Sequence, residues 1–321
     1  MTQGPSSLFE RVKAGQTAGV ARAISVLADR RPGHLELLGD LYRHPVNAEV
    51  IGVTGPPGAG KSTLVDSLIE NYRAAGKRVG VVAVDPSSPF TGGAILGDRI
   101  RMQRHATDPD VFIRSLASRG LLGGLGPATA EAARVLAHAG FDPIIIETVG
   151  VGQAEVEVMG VAGLVLMVLV PGSGDVVQCL KAGVMEIGDI FVVNKGDRDG
   201  ADRLMVEVEV LLRLAWPDES PDKRLLRTVA TTGDGIEELI DKLAEHAEEH
   251  IAKGERARRL ERQMERQLRG LLRSEVVQRF YSYDSEKNAV DKAVKKLSTG
   301  QADPVSLARE IADDFSAWLG G

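Results

Sequence analysis

The most restrictive feature of the chain is the run from Val50 to Ile69. A β-branched stretch, Val50-Ile51-Gly52-Val53-Thr54, leads into Gly55-Pro56-Pro57-Gly58-Ala59-Gly60-Lys61-Ser62-Thr63, and the helical pattern Leu64-Val65-Asp66-Ser67-Leu68-Ile69 follows at once. This is G-x-x-x-x-G-K-S between a strand and a helix, the context in which the pattern makes a phosphate-binding loop. Glycines let backbone N–H groups converge on phosphate oxygens, and the helix N-terminus adds the positive end of its dipole. Lys61 offers a point charge to the β- and γ-phosphates, and the Ser62 hydroxyl a ligand for Mg²⁺. The expectation is a bound nucleoside triphosphate with Gly55, Pro57, Gly58, Ala59, Gly60, Lys61, Ser62 and Thr63 around it.

The rest of the chain supplies a sheet for this loop. Residues 48–250 alternate short apolar runs with helical stretches, and the strand candidates are Val50–Thr54, Arg78–Val84, Val111–Arg114, Pro143–Glu147, Leu164–Leu169, Ile190–Val193 and Leu226–Val229. Continuous apolar runs such as Ile144-Ile145-Ile146 suit strands buried on both faces, which predicts an α/β fold with a mostly parallel sheet flanked by helices. Residues 1–47 carry a helical period that Pro45 ends, and read as an N-terminal helical extension. Residues 251–321 are helical and charge-dense. Lys253 to Arg279 holds nine basic and four acidic residues, which reads first as a solvated helix face with i,i+4 pairs, and otherwise as a dimerisation arm or a docking surface for an acidic partner.

The base is addressed by a second motif. Ile190-Phe191-Val192-Val193 ends in Asn194-Lys195-Gly196-Asp197 at the expected carboxyl edge of a strand. An Asp carboxylate there accepts from both N1–H and the 2-amino group of guanine; adenine offers neither donor, and a buried carboxylate left unpaired penalises it. The Lys195 stem can lie over the purine. Downstream, Val229-Ala230-Thr231-Thr232-Gly233 resembles the loop whose backbone N–H recognises guanine O6, although Val229 stands where a Ser is usual. GTP is expected over ATP.

Acids complete the site. Ile144-Ile145-Ile146-Glu147-Thr148-Val149-Gly150 reads as a buried strand ending in a carboxylate that can hold Mg²⁺, then a glycine whose N–H can sense the γ-phosphate. Glu147 stands where the familiar Asp-x-x-Gly pattern has Asp. The residue after Gly150 is Val151 rather than a water-orienting Gln, which predicts weak intrinsic hydrolysis. Gln153 reads as a polar loop or helix-start residue before it reads as catalytic. Asp85 and Asp98 lie in Gly- and Pro-rich surroundings from which either could reach the metal, or cap a turn. His105 is assigned no role.

Composition narrows the class. Net charge is −6, with 45 acidic against 39 basic residues, which argues against a general nucleic-acid binder. A single cysteine, Cys179, excludes an intrachain disulfide framework and a Cys-rich metal site. No leader-like pattern and no apolar run of roughly 18–20 residues is present, so the expectation is a cytoplasmic chain without a membrane span. The 36 glycines imply either a loose chain or many places where backbone approaches something closely.

Taken together, GPPGAGKST, Val84-Asp85-Pro86-Ser87-Ser88-Pro89, Gly97-Asp98-Arg99-Ile100-Arg101-Met102, Glu147-Thr148-Val149-Gly150-Val151-Gly152-Gln153 and Asn194-Lys195-Gly196-Asp197 resemble the MeaB/ArgK family. The resemblance covers essentially residues 5–250. It implies a SIMIBI-class P-loop GTPase binding GTP/GDP and Mg²⁺, similar to the nickel-insertion GTPases of urease and hydrogenase. The implied function is that of a chaperone gating adenosylcobalamin loading of a B12-dependent mutase such as methylmalonyl-CoA mutase, with its adenosyltransferase as a further candidate partner. On matching positions it implies Lys61 and Ser62 as phosphate and metal ligands, and Asp85, Asp98 and Glu147 as the acids around metal and water. Ser173–Gly183 would be an additional switch, with Gln178 and Lys181 as its working residues. A homodimer through the C-terminal arm, residues 251–321, is implied as well. No cobalamin-binding Asp-x-His-x-x-Gly motif is present, which leaves that cofactor to the partner. Against a nickel-insertion GTPase stands the lack of a His-rich or Cys-x-x-Cys metal store; against a kinase of periplasmic amino-acid-binding proteins, the guanine motif; against a GTP-binding scaffold without turnover, the acid cluster.

Overall fold

Each of the seven apolar runs forms a strand: β1 (Val50–Thr54), β2 (Val79–Asp85), β3 (Val111–Ala117), β4 (Ile144–Thr148), β5 (Leu164–Leu169), β6 (Ile190–Asn194) and β7 (Leu225–Thr228). The computed structural model describes residues 5–85, 103–105, 107–117, 127–148, 158, 160–172 and 188–320. All seven strands pair in parallel, in the order β3-β2-β4-β1-β5-β6-β7. The helices are α1 (Pro5–Lys13), α2 (Thr17–Ala28), α3 (His34–Arg43), α4 (Lys61–Ala74), α5 (Pro127–His138), α6 (Ala201–Ala215), α7 (Ile236–Ala252), α8 (Glu255–Lys287), α9 (Ala289–Ser298) and α10 (Pro304–Leu319).

The strands are apolar over most of their length because both faces of the sheet are covered, and Thr54, Asp85, Glu147, Thr148 and Asn194 come at or next to their carboxyl ends. On one face Ile51, Val53, Leu164, Leu166, Val168 and Val192 pack with Leu64 and Leu68 of α4 and Ile236 and Leu239 of α7. On the other, Met167, Leu169, Phe191 and Val193 meet Leu204, Val208 and Leu212 of α6. Strands β2 and β4 lie on one side of β1 and β5 to β7 on the other. The loop after β1 therefore opens where the winding reverses, the place where open α/β sheets bind ligands.

Two compact units divide the chain, residues 1–262 and 263–321. The N-terminal helices belong to the first and are fastened to α5. Arg30 donates to both carboxylate oxygens of Glu131 at 2.8 Å, the Arg134 guanidinium lies 3.9 Å from the Tyr42 ring centroid, and His138 Nε2 meets the Leu41 carbonyl at 3.0 Å. Burial pushes the Glu131 carboxyl upward while Arg30 opposes it.

In the second unit, Tyr283, Ala293, Leu307 and Phe315 are buried. Phe280, Tyr283, Phe315 and Trp318 form a ring cluster, with Phe280 edge-on to Phe315 at 5.4 Å. A chain sparse in aromatics concentrates them where a small helical unit has little other area to bury. Helix α10 starts on Asp303, whose carboxylate accepts from Val305 N at 2.9 Å and Ser306 N at 3.0 Å, with Pro304 at the first helical position. Among the described residues no helix is long and apolar enough to cross a membrane.

Candidate functional site

The loop between β1 and α4 cannot accept larger residues at its two ends. Gly55 has φ +142° and an added Cβ would lie 2.1 Å from the Val168 carbonyl oxygen; Gly60 has φ +89° and an added Cβ would lie 2.5 Å from Asn194 Nδ2. Gly60 is also the N-cap of α4, where no side chain caps the helix. The first-turn N–H groups are thus left facing the loop, the arrangement that receives an anion. Lys61 is buried and its ammonium donates to the carbonyls of Gly55 at 2.7 Å and Pro56 at 3.1 Å. Pro57 and Gly58 are exposed, Ala59 is buried and Thr63 half-buried.

Asn194, at the end of β6, ties three segments together. Its Nδ2 donates to Ala59 O at 2.9 Å, and its Oδ1 accepts from Ala230 N at 3.1 Å and from Thr228 Oγ1 at 3.2 Å. Lys195 adopts a left-handed φ of +57°, which carries its stem back over the phosphate loop to donate to Gly58 O at 2.7 Å. Gly196 N donates to Thr228 O at 2.9 Å, while Asp197 and Thr231 are exposed and Val229 half-buried. The two predicted motifs and the Val229–Thr231 loop are therefore one continuous hydrogen-bonded edge.

Glu147 stands beside Val53 in the register of β4 on β1 and is buried. The Ser62 hydroxyl donates to its Oε1 at 2.6 Å. Next to it, Thr148 Oγ1 donates to Thr54 Oγ1 at 3.0 Å. Asp85 is the last residue of β2, at the same edge of the sheet. Asp98, Gly150, Gln153, Gln178 and Lys181 lie outside the described residues.

Two groups of residues escape sequence reasoning. Arg104 pairs with Asp66 and Glu70 on α4, and buried His105 brings Nε2 within 2.9 Å of Asp66 Oδ1. The residues just beyond the Asp98 segment are thereby held to the phosphate-loop helix. At the opposite, amino-terminal edge of the sheet, buried Asp189 receives Arg259 Nη1 at 2.8 Å and Nη2 at 2.6 Å, and Val165 N at 2.8 Å. His250 Nε2 lies 3.2 Å from Glu255 and 3.6 Å from Asp189. Hydrogen bonding to Asp189 holds the Arg259 guanidinium above its ordinary pKa, and burial holds the His250 imidazole below its own. Arg256 Nη2 donates to Ala48 O at 3.2 Å, so the first turn of α8 is strapped to the sheet edge. Each partner here looks like an ordinary helix or turn residue in its own window; only their charges hinted at pairing.

A family model described as methylmalonyl-CoA mutase-associated GTPase MeaB matches residues 20–285. A Pyrococcus abyssi protein that carries the name GTPase is 45% identical over 315 residues, covering 96% of each chain. The mouse mitochondrial methylmalonic aciduria type A homolog is 34% identical over 271 residues, 83% of this chain and 65% of the mouse protein. The crystal structure of an LAO/AO transport system kinase superposes with a TM-score of 0.68 over 97% of both chains at 24% identity, a likeness of fold. With its parallel sheet, its phosphate loop and a match over most of its length, the chain belongs to the MeaB family of GTPases.

Proposed function

We propose that the chain is a GTP-hydrolysing chaperone that gates adenosylcobalamin loading and protects or reactivates a B12-dependent acyl-CoA mutase, methylmalonyl-CoA mutase being the favoured partner. The observation that carries the nucleotide half is Asn194, whose amide joins Ala59 of the phosphate loop to Ala230 of the following loop. A ligand spanning that edge meets phosphate-binding groups at one end and Asp197 at the other. Family membership supports the mutase half.

Lys61, the backbone of Gly58 to Thr63 and the α4 N-terminus would hold the phosphates, and Asp197 would pair with the guanine N1–H and 2-amino group. Ser62 and Glu147 fit a hard cation. The Ser62 proton is directed to Glu147, which leaves the hydroxyl lone pairs to a metal, and the buried carboxylate adds negative charge. Bound Mg²⁺ would neutralise charge on the β- and γ-phosphates. Asp85 and Asp98 would join this acid set, with Gln178 and Lys181 relaying nucleotide state to the partner, as the family resemblance implies. For the arm, Met264, Leu268, Leu272 and Val276 are exposed at a spacing of four on α8, which supports its use as a homodimer surface.

Capture from native cell extract on the full chain loaded with a non-hydrolysable GTP analogue tests the reading. Recovery of a B12-dependent mutase is the expected result; recovery of hydrogenase or urease components instead overturns the partner assignment.

A further inference from the structure

The guanine edge contains a residue whose position in the fold is unlike its position in the sequence. Ser67 lies within α4, one turn beyond the phosphate loop, and is buried. Its hydroxyl is 2.7 Å from the carbonyl oxygen of Ala230, 163 residues away, and 3.2 Å from Thr63 O. A hydroxyl has one proton to give. The shorter contact takes it, so Ser67 donates to Ala230 rather than back into its own helix.

The consequence lies on the other side of the same peptide. Ala230 C=O and Thr231 N–H belong to one planar trans unit, in which the two groups point in opposite directions. With the carbonyl held against α4, the Thr231 N–H is turned away from the core. Among the described residues it has no hydrogen-bond partner, whereas the neighbouring Ala230 N–H is taken by Asn194. Thr231 is exposed, as is Asp197 on the adjoining loop.

We propose that Ser67 is a positioning residue for base selection: by gripping the Ala230 carbonyl it aims the Thr231 N–H at the purine 6-position, where a 6-oxo group accepts from it and a 6-amino group cannot. The assignment rests on the guanine-nucleotide reading given above and adds to it the device that fixes the discriminating donor. Without the Ser67 hydroxyl, a buried carbonyl loses its partner and the peptide is free to turn toward water, taking the N–H with it.

The test is calorimetric titration of the full chain with two nucleotides, GDP and 2-aminopurine riboside diphosphate, which keeps the 2-amino group but has neither the 6-oxo group nor the N1–H. The wild-type chain is expected to bind it more weakly on both counts, and what is read is how each affinity changes on substitution. In Ser67→Ala, GDP affinity is expected to fall about tenfold, the effect of one lost buried hydrogen bond, while affinity for the 2-aminopurine nucleotide is unchanged. Ser67→Thr, which restores a hydroxyl, is expected to recover GDP binding. Alanine has the best helix propensity, so the variant keeps α4. Equal loss for both nucleotides marks a merely structural serine and overturns the proposal, as does an unchanged GDP affinity. A wild-type chain that binds ADP as tightly as GDP, or binds neither, overturns the guanine reading itself and this inference with it.

Discussion

Arg259, in the second turn of α8, closes on Asp189 through two hydrogen bonds of 2.6 and 2.8 Å, and Asp189 immediately precedes the strand whose other end carries Asn194. The first turns of the C-terminal helix are thus part of the unit that carries the phosphate loop, joined to the end of β6 opposite Asn194. Asp189 is buried and its Oδ2 also receives Val165 N at 2.8 Å. Arg259→Ala leaves that carboxylate buried without its cation, a change that costs about 3 kcal/mol. Urea denaturation is expected to show that loss with an unchanged denaturant slope. Arg259→Lys, which keeps the charge and loses the fork, should fall between the two. A loss within the range of a surface pair would show that the bridge is dispensable.

The base assignment can be reversed by one atom exchange. Asp197 is exposed, on a loop held by Gly196 N to Thr228 O at 2.9 Å. Asp197→Asn replaces an acceptor by an amide donor. That donor opposes the guanine 2-amino group but matches the 2-oxo group of xanthine. GDP affinity is expected to fall by at least about tenfold and XDP affinity to rise. Equilibrium titration with both nucleotides checks it, and unchanged GDP binding would remove Asp197 from the base site.

The sheet and the phosphate loop could be read from the chain because their signals lie within single windows. Seven apolar runs marked seven strands, since strands buried on both faces need no polar residue anywhere along them. Asn194 was visible as part of a motif, yet its bond to Ala59 spans 135 residues and only the fold reveals it. Ser67 was hidden by the regular period of α4. The basic run after Lys253 illustrates the limit well. Arg269 with Glu265 and Arg279 with Glu275 are i,i+4 pairs of the kind a solvated face would have. Arg256 and Arg259, in the same run and of the same type, are instead fastened to Ala48 and Asp189. Composition cannot separate these uses because the partner of each arginine is set by topology.

Two buried histidines give the stability a direction with pH. Burial lowers the pKa of His138, with Arg134, His44 and Lys13 adding repulsion; burial likewise lowers that of His250, against Asp189 and Glu255 and with Arg259 and His246. A folded state that binds these protons less tightly than the unfolded chain is favoured above the ordinary value of about 6.5, and loses that advantage as pH falls through the folded values. The histidine contribution to the urea midpoint is therefore expected to drop between pH 7 and pH 5, while the half-buried Glu49 and buried Glu131 carboxyls, pushed upward by burial, act in the opposite sense. His138→Gln keeps a donor for the Leu41 carbonyl, now met at 3.0 Å, and removes the titration. Its midpoint should depend less on pH; a curve parallel to wild type would exclude His138 as a source.

Gly60 and Asn194 should be energetically coupled. Gly60→Ala carries two separable penalties: an L-residue at φ +89°, and a Cβ placed 2.5 Å from Asn194 Nδ2. The first is local to the backbone and amounts to about 1–2 kcal/mol. The second exists only while Asn194 is present. Asn194→Ala in turn leaves the buried Ala230 N–H without its acceptor and Ala59 O without its donor, at about 2–4 kcal/mol together. In the double variant the methyl group meets no amide, so only the backbone part of the Gly60 penalty remains. The two single losses should therefore sum to more than the loss in the double variant, by at least about 1 kcal/mol. Urea denaturation of the four proteins measures this difference directly. Strict additivity would mean that the phosphate loop moves aside to admit the methyl group, and that the close packing of Gly60 on Asn194 does not constrain the loop.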